Sequence, residues 1–165
     1  MKTTTFLPMA ASIKIVTIIA TIIILLGMAM LIYMWFTTKN LPTLIVAIVL
    51  FITLVVSICM IPQKVVVKED GIDVHMLAIK VHVPAEEVVS IEHYPRGIES
   101  YRIVGMGMYF GNIGLFSSSQ CGKHFSLVTN PLDVCVLVRK TKMPIVMSVA
   151  DKSVFSSLTE VKEKN

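Results

Sequence analysis

Between Ile15 and Ile61 the chain carries a single charged residue, Lys39. The core of a small soluble protein has no place for so long an apolar run. The pattern predicts two membrane spans, Ile15 to Phe36 and Leu41 to Ile61, separated by the polar break Thr37, Thr38, Lys39 and Asn40. At about 1.5 Å of rise per residue each span reaches roughly 30 Å, the thickness of a bilayer's hydrocarbon core. Pro42 falls in the first turn of the second span, where its missing N–H costs nothing. Tyr33, Trp35 and Phe36 end the first span in the manner of an interfacial aromatic belt.

After Ile61 the period changes from helical to alternating. Lys64 to Glu69 is β-branched, Asp70 and Gly71 make a turn, and Ile72, Val74 and Met76 alternate with Asp73 and His75. Strands are also predicted at Ile79 to Val83, Val88 to Tyr94, Lys123 to Thr129, Leu132 to Lys140 and Met143 to Val149. The glycine-rich segment Tyr101 to Phe116 lies between them. Asp151 is a good N-cap, and Val154, Phe155, Leu158 and Val161 after it have helical spacing, predicting a helix over 151–163. The organisation is therefore a transmembrane hairpin, residues 1–61, and a β-rich domain, residues 62–165, joined by only Pro62 and Gln63. So short a link holds the domain against the bilayer surface.

Charge refines this picture. The formal net charge is +4, but all 11 acidic residues follow Ile61 with most of the basic ones, so the β-domain is nearly neutral and nucleic acid is excluded as its partner. Lys2 and Lys14 before the hairpin and Lys64 and Lys68 after it outnumber Lys39 in its loop. That bias predicts a multi-pass protein of the plasma (inner) membrane with both termini cytoplasmic. Three cysteines make no disulfide framework, since Cys59 lies in the second span. Cys121 and Cys135 are expected to be reduced in a cytoplasmic domain and would pair only in an oxidising compartment.

Several local features together carry a resemblance: Asp70, Gly71 and Ile72; Val83 and Pro84 with Glu86, Glu87 and Val88; the run Arg102 to Phe116; and Ser148 with Asp151. From about residue 62 to 160 the chain resembles the bacterial pleckstrin-homology-like domain family. The resemblance implies an α+β fold in which the hairpin precedes a bent, seven-stranded antiparallel barrel with a C-terminal helix plugging one open end. It implies no catalytic residues.

The residues themselves offer little chemistry. Gly105, Gly107 and Gly111 have the spacing G-x-G-x-x-x-G with no helix after them, which suits a bent strand and not a phosphate loop. His75, His82, His93 and His124 lack the spacing of metal ligands, and Ser117, Ser118 and Ser119 have no nucleophile-elbow context. No metal, cofactor or enzymatic activity is expected. The candidate interaction surface is Arg96, Arg102, Met106, Met108, Tyr109, Phe110 and Lys123, apolar anchors with a basic rim. The competing expectation is that these apolar residues fill the domain's interior. The sequence predicts a membrane-anchored scaffold whose partner beyond the bilayer is a membrane or cytoplasmic protein, or alternatively an accessory subunit of a transporter or enzyme complex.

Overall fold

The computed structural model describes residues 3–107, 110–156, 158 and 161–163. Two helices, α1 (Ala11–Thr38) and α2 (Leu41–Cys59), form the hairpin, and both are long and apolar enough to cross a membrane. Lys39 turns the chain between them in the left-handed region, its N–H donating to the Trp35 carbonyl and its ammonium lying 5.2 Å from the Trp35 ring centroid. α1 begins four residues before the expected span. Its 28 residues measure about 42 Å, roughly two turns more than a hydrocarbon core. Those extra turns are occupied, because Ile13 and Thr17 are buried in a helix that is otherwise largely exposed.

A short strand precedes the hairpin. β1 (Thr3–Phe6) pairs antiparallel with β2 (Pro62–Lys68), which follows α2 directly, so Pro62 and Gln63 belong to a strand and are no free tether. β3 (Gly71–Met76) and β4 (Lys80–Pro84) complete a four-stranded sheet in the order β1-β2-β3-β4. The remaining strands are β5 (Val88–Tyr94), β6 (Ser100–Met106), β7 (Asn112–Ser118), β8 (Gly122–Val128), β9 (Val134–Arg139), β10 (Ile145–Met147) and β11 (Val161–Glu163). They form a second sheet of seven strands in the order β11-β5-β9-β10-β8-β7-β6, with the three-residue β11 at one edge.

The fold is thus α+β, as expected, but its strands make two sheets where the resemblance implied one seven-stranded barrel. Nor is the pairing wholly antiparallel, since β10 runs parallel to β8 and β11 parallel to β5. The helix expected over 151–163 is also corrected. Asp151 does cap, its Oδ1 accepting from the Ser153 N–H at 2.9 Å, but the turn it starts is a 3-10 helix, Lys152–Phe155. One such turn already buries Val154 and Phe155 in the core, and Ser156 after it hydrogen-bonds locally to the Ser153 carbonyl, in competition with a longer helix. Beyond them the open edge of β5 offers backbone partners, and Val161 takes its place opposite Ile91.

The two sheets bury a common core. Val65, Val67, Ile72, Val74 and Val83 of the first sheet and Ile91, Ile113, Leu127, Leu137, Ile145 and Met147 of the second belong to one cluster, which Phe155 joins. A smaller cluster on the second sheet includes Tyr94, Val128, Val134, Val136 and Val146.

Candidate functional site

The hairpin is stitched into the domain by hydrogen bonds that no local pattern foretells. Leu7 N–H donates to the Gln63 carbonyl at 2.9 Å, Ala10 N–H to Thr129 O at 3.0 Å, and the Thr129 hydroxyl to Pro8 O at 2.7 Å. Ser148, fully buried, fixes the neighbouring turn by accepting from Asn130 N–H and donating to Asn130 O, both at 2.8 Å. Higher on α1, the Thr17 hydroxyl accepts from Phe110 N–H at 3.0 Å. Phe110 has φ +58°, uncommon for a bulky side chain, and is 7% exposed. The unusual backbone turns its N–H onto α1 and its ring into the core.

At α2 the stitching comes from the β3–β4 turn. Leu77 N–H donates to Ile61 O at 3.2 Å and Ala78 N–H to Cys59 O at 3.3 Å, satisfying carbonyls at a helix end that would otherwise lack partners. This places Leu77 and Ile79, both exposed, beside the last turn of α2. Lys64 and Lys80 flank the same tip, each opposite His75 in register.

Further from the tip the same sheet face carries a cationic cluster around one carboxylate. Asp73, 1% exposed, has Lys68 Nζ at 2.8 Å, Lys80 Nζ at 3.0 Å and His82 Nδ1 at 2.6 Å. Burial disfavours its ionised form, but hydrogen bonds from Lys68, His82 and Lys80 outweigh that and hold the carboxyl well below the usual carboxylate range. The cations themselves reach solvent, so the carboxylate is shielded by side chains more than by depth.

One constellation escaped sequence reasoning although its S-x-x-C-x-x-H spacing is visible. Around the β7–β8 turn, Ser118 Oγ lies 3.0 Å from Cys121 Sγ, and Sγ lies 3.4 Å from His124 Nδ1. A thiol beside an imidazole suggests an activated nucleophile. Its hydrogen bonding argues otherwise. His124 Nδ1 is 2.9 Å from the Gly122 carbonyl, which only accepts, so Nδ1 carries the proton and cannot take one from the thiol. Burial, moreover, pushes the Cys121 thiol up, away from thiolate. Cys121 and Cys135 are thiols that form no disulfide.

The residues of the expected interaction surface differ in exposure. Met108 and Tyr109 lie outside the described residues. Phe110 is buried, Met106 is half-buried, and Arg102, Arg96 and Lys123 are exposed on three different segments. Of these, Arg102 and Met106 belong to β6, the edge strand of the second sheet, together with exposed Tyr101, Ile103 and Val104. The glycines explain how this edge is shaped. Gly105 and Gly114 stand opposite each other at φ +133° and +130°, and a Cβ on either would lie 2.3 Å from Ile113 O or 2.4 Å from Val104 O. Only glycine permits that close crossing of backbones.

No family model, curated protein or solved structure matches this chain. Beneath β6, an open apolar pocket of about 560 Å³ is lined by Met60, Val104, Gly105, Met106, Ile113, Gly114, Leu115 and Phe125. Met60 is the C-cap of α2, so the pocket begins where that helix ends.

Proposed function

We propose that this chain is a membrane-anchored binding protein, a PH-like β-domain held by a two-span hairpin against the cytoplasmic face of the plasma membrane. Its work is binding, with no chemistry of its own, and its partner beyond the bilayer is a membrane or cytoplasmic protein.

The observation that carries the reading is the pairing of β1 with β2 across the hairpin. Strands on either side of a two-helix insertion can pair only if both ends of the insertion emerge on the same face of the membrane. The excess of lysines at those ends favours the cytoplasmic face. Exposed Leu77 and Ile79, bonded to the end of α2 and flanked by lysines, suit a boundary between hydrocarbon and anionic headgroups.

Cysteine accessibility tests it. In full-length protein lacking Cys59, Cys121 and Cys135, Asn40→Cys should react with a membrane-impermeant thiol reagent in intact cells. Asp70→Cys should react only after permeabilisation. The reverse pattern places the β-domain outside, and extraction of the protein by alkaline carbonate removes the anchor from the proposal altogether.

A further inference from the structure

We infer that the pocket beneath β6 is a binding site for a single acyl chain of a bilayer lipid, drawn out of the membrane along the end of α2. The inference rests on the membrane-anchored reading and adds a ligand to it.

The pocket's volume, about 560 Å³, lies in the ordinary range for small-molecule sites, about 300–1,000 Å³. Its walls are Val104, Met106, Ile113, Leu115 and Phe125, and no side chain rises from the Gly105–Gly114 crossing between them. Among the described residues, no charged side chain lines it. Such a surface facing water is costly, at roughly 25 cal/mol for each Å² of apolar area left uncovered. Val104 is nevertheless 67% exposed, and Tyr101 and Ile103 beside it are exposed as well. Contiguous apolar exposure of this kind marks a place that something apolar covers.

Continuity with the membrane decides the occupant. Met60 both caps α2 and lines the pocket, so an apolar path runs from the helix end into the groove. A lipid chain can follow that path without crossing water, whereas a soluble apolar ligand has to reach it through the aqueous phase. The adaptable thioethers of Met60 and Met106 also suit a chain of variable shape. The bonds from Leu77 and Ala78 to Ile61 and Cys59 hold the β3–β4 turn on the last turn of α2, so the end of the path is fixed relative to the domain.

The test uses full-length protein in vesicles of phosphatidylcholine and phosphatidylglycerol doped with a phosphatidylcholine whose acyl chain bears a diazirine at its far end. In an undisturbed bilayer that group sits near the midplane, about 15 Å from the interface. It reaches the β-domain only if the chain leaves the membrane. Irradiation and peptide mapping should give adducts on residues 104–106 and 113–115 as well as on the two helices. Val104→Trp and Leu115→Trp, which fill the groove, should abolish the first set and leave the second. Adducts confined to the helices overturn the acyl-chain site while leaving the anchor intact. Absence of helix adducts overturns the anchored reading itself. A third arm asks whether a second copy covers the edge: efficient disulfide formation between two Ile103→Cys chains in a cysteine-free background, with no lipid adduct on β6, also overturns the site.

Discussion

The first sheet and the β6 edge of the second stand on opposite sides of the same problem, the disposal of apolar side chains next to two helices long and apolar enough to cross a membrane. In the first sheet Val65, Val67, Ile72, Val74 and Val83 are all buried, and its strands are bonded to the hairpin at both ends, by β1 and by the β3–β4 turn. At β6 the side chains of Tyr101, Ile103 and Val104 stand exposed on an edge strand. The sheet bound to the hairpin completes itself. The edge leaves its apolar side chains uncovered, and unpaired edges with apolar side chains are features that proteins otherwise suppress.

The largest effect is expected from a variant of the shared core. Phe155→Ala removes a side chain 1% exposed between the sheets, and the expected loss is about 3–5 kcal/mol, read as a large fall in the melting temperature of the full chain in detergent. A fall no greater than that of a surface variant would mean that the 3-10 turn does not close the core.

Next in size is the carboxylate on the outer face of the first sheet. Asp73→Asn keeps the shape, removes the charge and leaves Lys68, Lys80 and His82 crowded together. The expected cost at neutral pH is about 1–3 kcal/mol, toward the lower end because the lysines reach solvent. The pH dependence has a definite sign. Because the folded carboxyl titrates below its ordinary value, its stabilisation is complete above about pH 4 and is lost as the pH falls through the folded value. Acid unfolding of the variant should therefore be less steep than that of the parent, and parallel acid limbs would show that Asp73 is not the group that titrates.

How far these features were legible differs by element. The hairpin was readable because an unbroken apolar run is a local signal, and β5 lies at Val88–Tyr94, just as its alternation places it. β1 was missed because Thr3–Phe6 carries no periodicity long enough to read. The link to α1 was missed because Phe110 and Thr17 are 93 residues apart in sequence. The C-terminal helix failed for a related reason: the spacing of Val154, Phe155 and Leu158 is equally well satisfied by one turn followed by a strand on β5. Of the candidate surface, Arg96, Arg102 and Lys123 are exposed, whereas Phe110 is drawn inward by a backbone conformation no pattern reveals. Neither the pocket nor the Asp73 cluster was legible, since each depends on which strands become neighbours.

A smaller effect is expected where the hairpin meets the domain. Thr17→Val preserves shape but removes the hydrogen bond that Phe110 N–H donates to the Thr17 hydroxyl, a loss of about 1 kcal/mol. Hydrogen exchange should accelerate in the peptide containing Phe110, and Thr17→Ser should restore protection. Equal exchange in parent and valine variant would mean that this contact does not hold α1 on the domain.

The smallest effect is the one that separates the two regions most cleanly. Tyr101→Ser and Val104→Ser alter side chains that the domain does not bury, so each should change stability in detergent by no more than about 0.5 kcal/mol. If β6 were simply an imperfect part of the core, Val104→Ser would instead lower the melting temperature in step with its apolar area. The contrast strengthens when the same variants are placed in lipid. A side chain covered only by a bilayer-derived chain or by a docked partner contributes nothing in its absence and something in its presence. The parent should therefore gain more stability than Val104→Ser on transfer from detergent to lipid vesicles, whereas Phe155→Ala should keep the same deficit in both. Equal gains for parent and Val104→Ser would show that nothing in the membrane completes the β6 edge.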